Sequence, residues 1–188
     1  LMRLIIMGPP GAGKGTQAAR IAERFSIPAI STGDIFRRNL SEGTPLGRRA
    51  KEYMEAGEYV PDEVTNAMVA DRLAQPDTTG GWLLDGYPRT PAQVHALDGM
   101  LADTDTALDA VLELVVDSEV VVDRLLKRAE IEGRADDNAE TIRRRMEVYV
   151  AETAPLTAEY AERDLLRQVD GLGNVDEVTE RIFTALST

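Results

Sequence analysis

The chain has no cysteine, a single histidine (His95), a single tryptophan (Trp82) and only three lysines, Lys14, Lys51 and Lys127, in 188 residues. Without thiols there are no disulfides, thiolate zinc sites or cysteine nucleophiles. One imidazole is too few for a multi-histidine metal site. No apolar run approaches the roughly 20 residues of a membrane span. The run Leu4-Ile5-Ile6-Met7 is too short for a signal peptide and ends in a glycine loop, so the expected address is cytoplasmic. Positive charge is also scarce, with 21 Lys and Arg against 33 Asp and Glu and a formal net charge of -12. That argues against non-specific gripping of nucleic acid or of an anionic membrane, while leaving room for a local basic pocket.

What is present suits one folded domain. Hydrophobic residues make up 43% and charged residues 29% of the chain, enough for a sizeable core. Short apolar runs read as buried strands at Arg3 to Met7 and Trp82 to Leu84, and further strands are expected at Pro28 to Ile30, Ala110 to Val116 and Leu165 to Val169. Helical periodicity predicts helices over Lys14 to Phe25, Pro45 to Ala56, Asp62 to Leu73 and Thr90 to Leu101. Thr32 is a candidate cap for a helix to about Leu40, and Asp117 or Ser118 for one reaching Arg128. A long helix over Glu140 to Arg163 carries Pro155 as a candidate kink, and a last amphipathic helix carries Val175, Val178, Ile182 and Leu186. Strands alternating with helices imply an α/β fold with a parallel sheet covered on both faces. Two polar stretches interrupt the alternation, at about 31–60 and 129–138, and read as mobile inserts; the second is expected to be a loop from Ala129 to Asp137.

Gly8-Pro9-Pro10-Gly11-Ala12-Gly13-Lys14 matches the G-x-x-x-x-G-K core of a phosphate-binding loop, with an apolar strand before it and an amphipathic helix after it. Glycines let backbone N–H groups turn inward around phosphate oxygens, the helix points its positive end at the same place, and Lys14 adds a full charge. A plain glycine turn is the competing reading, disfavoured by the lysine and the context. Gly15 follows Lys14, so the hydroxyl comes one place late, at Thr16. Direct magnesium ligation by Thr16 is then less secure, and contact with the α-phosphate is the alternative. Two apolar strands end in aspartate near such a loop, at Asp85 and Asp117. Asp85 is preferred because Gly86-Tyr87-Pro88-Arg89 follows and delivers an arginine; Asp117 reads well as a helix cap. Gly86 stands where motor ATPases place a water-activating glutamate, which favours transfer to a bound acceptor over hydrolysis.

Phosphoryl transfer between nucleotides needs cations at fixed geometry, and arginine binds phosphate with a planar, permanently charged fork. Arg124 and Arg128 share a helix face, Arg134 sits across the polar loop, and Arg143, Arg144 and Arg145 follow on the next helix, where one or two can face a site. For any one arginine the bland alternative is a solvated partner of Asp or Glu. An acceptor phosphate is ionised near neutral pH, with a second pKa of about 6, so no general base is required.

Taken in order, the motifs resemble the adenylate kinases, within the nucleoside monophosphate kinase family, over almost the whole chain. They are Gly8 to Gln17, Ser31-Thr32-Gly33-Asp34 with Arg37, Tyr59-Val60-Pro61-Asp62, Leu84 to Thr90 with Gln93, Gly133 to Asp137, and Arg143 to Arg145. The resemblance implies a P-loop fold with a core (1–30, 61–128, 139–188), a nucleotide-acceptor insert (31–60) and a short lid (129–138). It implies reversible transfer from MgATP to AMP, giving two ADP. Gly11, Ala12, Gly13, Lys14, Gly15, Thr16, Arg128 and Gly173 would meet ATP. Thr32, Arg37, Glu58, Tyr59, Val60, Gly86, Tyr87, Pro88, Arg89, Gln93, Arg134 and Arg145 would surround AMP. Lys14, Arg89, Arg124, Arg128, Arg134 and Arg145 would stabilise the transferring group. Magnesium would come with ATP, held through waters with Asp85 as an anchor, and the cysteine-bound zinc of long lids is excluded. Thr32 and Gln93 resemble the AMP-selecting versions of their positions in that family. Gln93 can offer both a donor and an acceptor to the adenine edge, or it is a solvent-facing helix residue. Gly57 and Gly133 are the expected flex points, Asp136 and Asp137 a helix start and latch, His95 a surface residue and Trp82 core. ATP, AMP and ADP are the expected partners of a monomer with no nucleic-acid or membrane partner. The open alternatives are another acceptor, such as UMP or CMP, and a P-loop regulator that binds nucleotide without transferring it. A guanine switch would carry N-K-x-D, and no lysine here follows an asparagine.

Overall fold

The computed structural model describes residues 2–132 and 138–187. Strands β1 (Met2–Met7), β2 (Ala29–Ser31), β3 (Gly81–Asp85), β4 (Ala110–Val115) and β5 (Leu166–Asp170) form one parallel sheet in the order β2-β3-β1-β4-β5. Helix α1 (Lys14–Phe25) follows β1, and α2 (Thr32–Glu42), α3 (Pro45–Glu55) and α4 (Asp62–Leu73) lie between β2 and β3. A single 3-10 turn at Pro76–Thr78, absent from the sequence reading, precedes β3. Then come α5 (Pro91–Asp103), α6 (Ser118–Glu132), α7 (Ala139–Glu162) and α8 (Val175–Leu186). Among the described residues no helix is long and apolar enough to cross a membrane.

Side chains of a strand alternate between faces, and β1 divides the core accordingly. Leu4 and Ile6 pack with Leu83, Leu112, Ile21 and Ile182 beneath α1 and α8. Ile5 and Met7 pack with Leu84, Val111, Met68, Leu97 and Tyr160 beneath α4, α5 and α7. Both faces are buried, which explains why β1 reads as an unbroken apolar run. Each such side chain contributes about 1.5–3 kcal/mol on leaving water. Trp82 is core and His95 is exposed, as expected.

Three local expectations change. Ser31, not Thr32, caps α2: its hydroxyl accepts from the Asp34 N–H at 3.1 Å, and Thr32 is the first helical residue. Residues Ala129 to Glu132 continue α6 instead of opening a loop, because Ala129 is buried and Arg128 pairs with Glu132 at i, i+4. Helix α7 runs through Pro155 and is capped by Asn138, whose side chain accepts from the Thr141 N–H at 2.9 Å. Gly133, Arg134, Asp136 and Asp137 lie outside the described residues.

Candidate active site

The carboxyl ends of β1 and β3 lie side by side at the centre of the sheet, where crevices in open α/β folds take ligands. From β1 the chain enters the glycine loop. Gly11 takes a φ of +81°, and a Cβ there would sit 3.0 Å from Leu125 of α6, so neither backbone nor space admits a side chain. Gly13 occupies the N-cap position of α1, and no side chain caps that helix. Its first N–H groups are thus available to an anion, with the positive end of the helix dipole behind them. From β3 comes Asp85, whose carboxylate accepts from the Lys14 ammonium at 2.7 Å, both side chains being mostly buried. Asp117 takes the bland role: its carboxylate accepts from the Glu119 N–H at 2.9 Å at the start of α6.

Two cavities adjoin at this edge. The first, about 270 Å³, is lined by Gly8, Pro10, Lys14, Tyr87, Pro88 and Arg145, with Tyr149 and Leu156 of α7 among the rest. The second, about 560 Å³, is lined by Thr32, Phe36, Tyr59, Val60, Asp62, Thr90 and Gln93. Gly86, Arg89 and Glu152 line both. Gly86 has a φ of +88°, and a Cβ there would meet the Thr32 hydroxyl oxygen at 2.8 Å. That hydroxyl donates to the Gly86 carbonyl at 3.4 Å, tying α2 to the turn after β3. The Arg89 Nε also donates to the Gly86 carbonyl, at 3.0 Å. The Tyr87-Pro88 peptide is cis. Buried Tyr87 donates from its hydroxyl to Asn66 Oδ1 at 2.7 Å, and burial, then nearby Asp62, pushes its pKa far above the ordinary value.

Gln93 is buried, not solvent-facing. Its Oε1 accepts from the Arg89 N–H at 2.6 Å, and its Nε2 donates to Asp62 Oδ1 at 3.0 Å. The donor and acceptor expected to meet a base are thus each partly engaged within the protein.

Lys14, Gly86, Tyr87, Pro88, Arg89 and Arg145 come together in the first cavity, and Thr32, Tyr59, Val60, Gly86, Arg89 and Gln93 in the second. Other expected site residues lie apart from both linings. Arg128 is exposed and pairs with Glu132 at 3.5 Å. Arg124 sits half-buried on α6, and Glu58 is exposed after α3. Arg37 pairs with Asp34 on the outside of α2, which holds the Asp34 carboxyl below its ordinary pKa. Gly173 is exposed ahead of α8, beside Glu177 and Arg181. Asp62 and Thr90, read from sequence as helix starts and as members of the family motifs but not as site residues, join the second cavity, and Glu152 is a further addition. The signal for Asp62 and Thr90 lay in the motifs Tyr59 to Asp62 and Leu84 to Thr90, and Glu152 lies in none of the motifs.

The family model described as adenylate kinase matches residues 6–165. Proteins named adenylate kinase are 66% identical over 185 residues in a Nocardioides species (98% of this chain, 97% of the relative) and 57% over 187 residues in Thermobifida fusca (100% and 99%). One from Micrococcus luteus is 58% identical over 186 residues, covering 99% of this chain and 91% of its own. With likeness running through both cavities and nearly from end to end, the chain belongs to the adenylate kinase family.

Proposed function

We propose that the chain transfers a phosphoryl group reversibly from MgATP to AMP, giving two ADP, with ATP phosphates in the first cavity and AMP in the second. The observation that carries the reading is the junction: two cavities share Gly86 and Arg89, with a phosphate loop on one side and Gln93 and Thr32 on the other. A phosphate oxygen of AMP attacks the γ-phosphorus in line, and the bond from that phosphorus to the β–γ bridging oxygen breaks, releasing ADP. The acceptor is already ionised, so no proton needs removing.

Lys14 and the bare N–H groups of α1 hold the donor phosphates. Arg89 reaches the junction and Arg145 the first cavity, where their forks neutralise charge on the equatorial oxygens. Arg124, Arg128 and Arg134 complete the clamp from α6 and the lid, which requires Arg128 to exchange Glu132 for phosphate. Gly11 to Thr16 and Gly173 flank ATP; Arg37, Glu58, Tyr59 and Val60 close on AMP from the 31–60 insert. Tyr59 is 98% exposed beside the second cavity, which suits a surface that is covered when the insert swings in. Closure of this insert and of the 129–138 lid excludes water from the junction.

Among the described residues no group of three or more His, Cys, Asp or Glu could cage a metal. Asp85, one oxygen of which meets Lys14, fits a magnesium that brings its own waters and phosphates. That ion would be held by Asp85 through water and would supply charge neutralisation on the phosphates. The reading also takes the protein as a cytoplasmic monomer working on ATP, AMP and ADP alone.

The test is a coupled assay with MgATP and AMP, GMP, UMP or CMP as acceptor. ADP formed efficiently with AMP is expected. No ADP with any acceptor overturns the reading, and a preference for UMP or CMP moves it to another acceptor.

A further inference from the structure

Asp62 opens α4, and each oxygen of its carboxylate takes a different donor from the start of α5. Oδ1 accepts from Gln93 Nε2 at 3.0 Å, and Oδ2 from the Thr90 hydroxyl at 3.2 Å. The Thr90 hydroxyl in turn accepts from the Gln93 backbone N–H at 3.1 Å, which closes a ring. An ionised carboxylate accepts only, so the amide end facing Asp62 has to be the nitrogen. At the other end the Arg89 N–H donates only, so the group facing it has to be the oxygen. An amide that could otherwise turn over by 180° is therefore pinned at both ends.

We propose that Asp62 is a positioning residue that fixes the order of donor and acceptor offered by Gln93, and that this order sets the choice of adenine over guanine. It rests on the reading of the second cavity as the acceptor site. A primary amide carries two N–H donors and an oxygen with two lone pairs. The contacts to Asp62 and Arg89 use one of each, leaving one donor and one acceptor for a base. Adenine presents an amino donor next to a ring-nitrogen acceptor; guanine presents a carbonyl acceptor next to an N–H donor. The two patterns are related by swapping the amide ends. A free Gln93 serves both by turning over, whereas a pinned one serves one and leaves unpaired polar groups against the other. Thr90 and Gln93 line the same cavity as Asp62, so the ring faces the ligand it sorts.

Asp62→Asn removes the obligation at the nitrogen end, because an asparagine can turn either its oxygen or its nitrogen toward Gln93, and leaves the Arg89 N–H alone to hold the order. Steady-state kinetics with AMP and GMP, at saturating MgATP, measure the effect on Asp62→Asn and Asp62→Ala, with the Tm of each variant recorded. The expected result is a fall of about tenfold in the AMP-to-GMP ratio of kcat/KM, with KM for ATP unmoved. Equilibrium binding of AMP and GMP should show the same change even in a variant with low turnover. A purely structural Asp62 would lower Tm and raise KM for both acceptors alike, leaving the ratio unchanged, and that result overturns the proposal. A wild-type protein that makes no ADP from AMP removes the acceptor-site reading and this proposal with it. An active wild type with an unmoved ratio overturns this proposal alone.

Discussion

Around the first cavity stand backbone N–H groups at the start of α1, one lysine held by one carboxylate, and the arginines Arg89 and Arg145. Around the second, Asp62, Thr90, Gln93 and the Arg89 backbone are bonded to one another in a ring, with Tyr87 and Asn66 joined beside it. The first is lined by charge and by backbone, a character that suits phosphate in general and not one base. The second is an ordered pattern of donors and acceptors, which is what distinguishing one base from another demands. On the proposed function, catalysis falls to the first side and selectivity to the second, with Arg89 lining both.

Substitutions on each side should separate those roles. Lys14→Ala removes the only lysine in either cavity lining and should cut kcat by about 10²–10³-fold, with circular dichroism and Tm showing a folded protein. Wild-type turnover in that purified variant would sink the assignment. Arg89→Ala should lower kcat/KM for both substrates by about 10²-fold, since its side chain serves both cavities; a loss confined to AMP would place it wholly on the acceptor side. The Asp62 variants should instead change the ratio between acceptors, about tenfold, more than the rate with AMP.

Gly86→Ala tests the connection between the sides. The residue has a φ of +88° and the Thr32 hydroxyl at 2.8 Å from a built Cβ. The variant should lose about 1–3 kcal/mol in denaturant unfolding and raise KM for AMP as Thr32 is displaced.

The smallest effect concerns pH. Tyr87 has a native pKa raised above its ordinary value of 10.0 by burial. Its contribution to stability is therefore complete below about pH 10 and lost as pH rises toward the native pKa. Stability measured by denaturant should fall from pH 9 to pH 11 in the wild type and fall less steeply in Tyr87→Phe. An equal slope in both proteins would mean that Tyr87 ionises as readily in the native state as in the unfolded chain.

The alternation of apolar runs and amphipathic stretches places every strand to within a residue or so; burial on both faces leaves continuous apolar runs in β1 and β3, while the edge strands β2 and β5 are partly exposed. Boundaries moved where a cap or a tertiary contact intervened. Ser31 took the cap from Thr32, whose hydroxyl is turned to Gly86, and buried Ala129 carried α6 past a composition that reads as loop. Lys14 and Asp85 were each legible because a motif marks them. Gln93 was marked by a motif, but its bonding within the protein was not legible: its partner Asp62 is 31 residues away and belongs to another helix.

By itself the sequence determined the α/β alternation, the phosphate loop and the family, since these depend on local backbone preference, periodicity and residues adjacent in the chain. It also set the scarcity of positive charge that makes each site cation matter. Tertiary structure alone decided that Lys14 pairs with Asp85 and that the Gln93 amide is held by Asp62, whereas Arg37–Asp34 and Arg128–Glu132 are i, i+3 and i, i+4 pairs within one helix. Hydrogen bonds act over about 3 Å, and nearness of that kind across distant elements is created by packing the sheet and its helices.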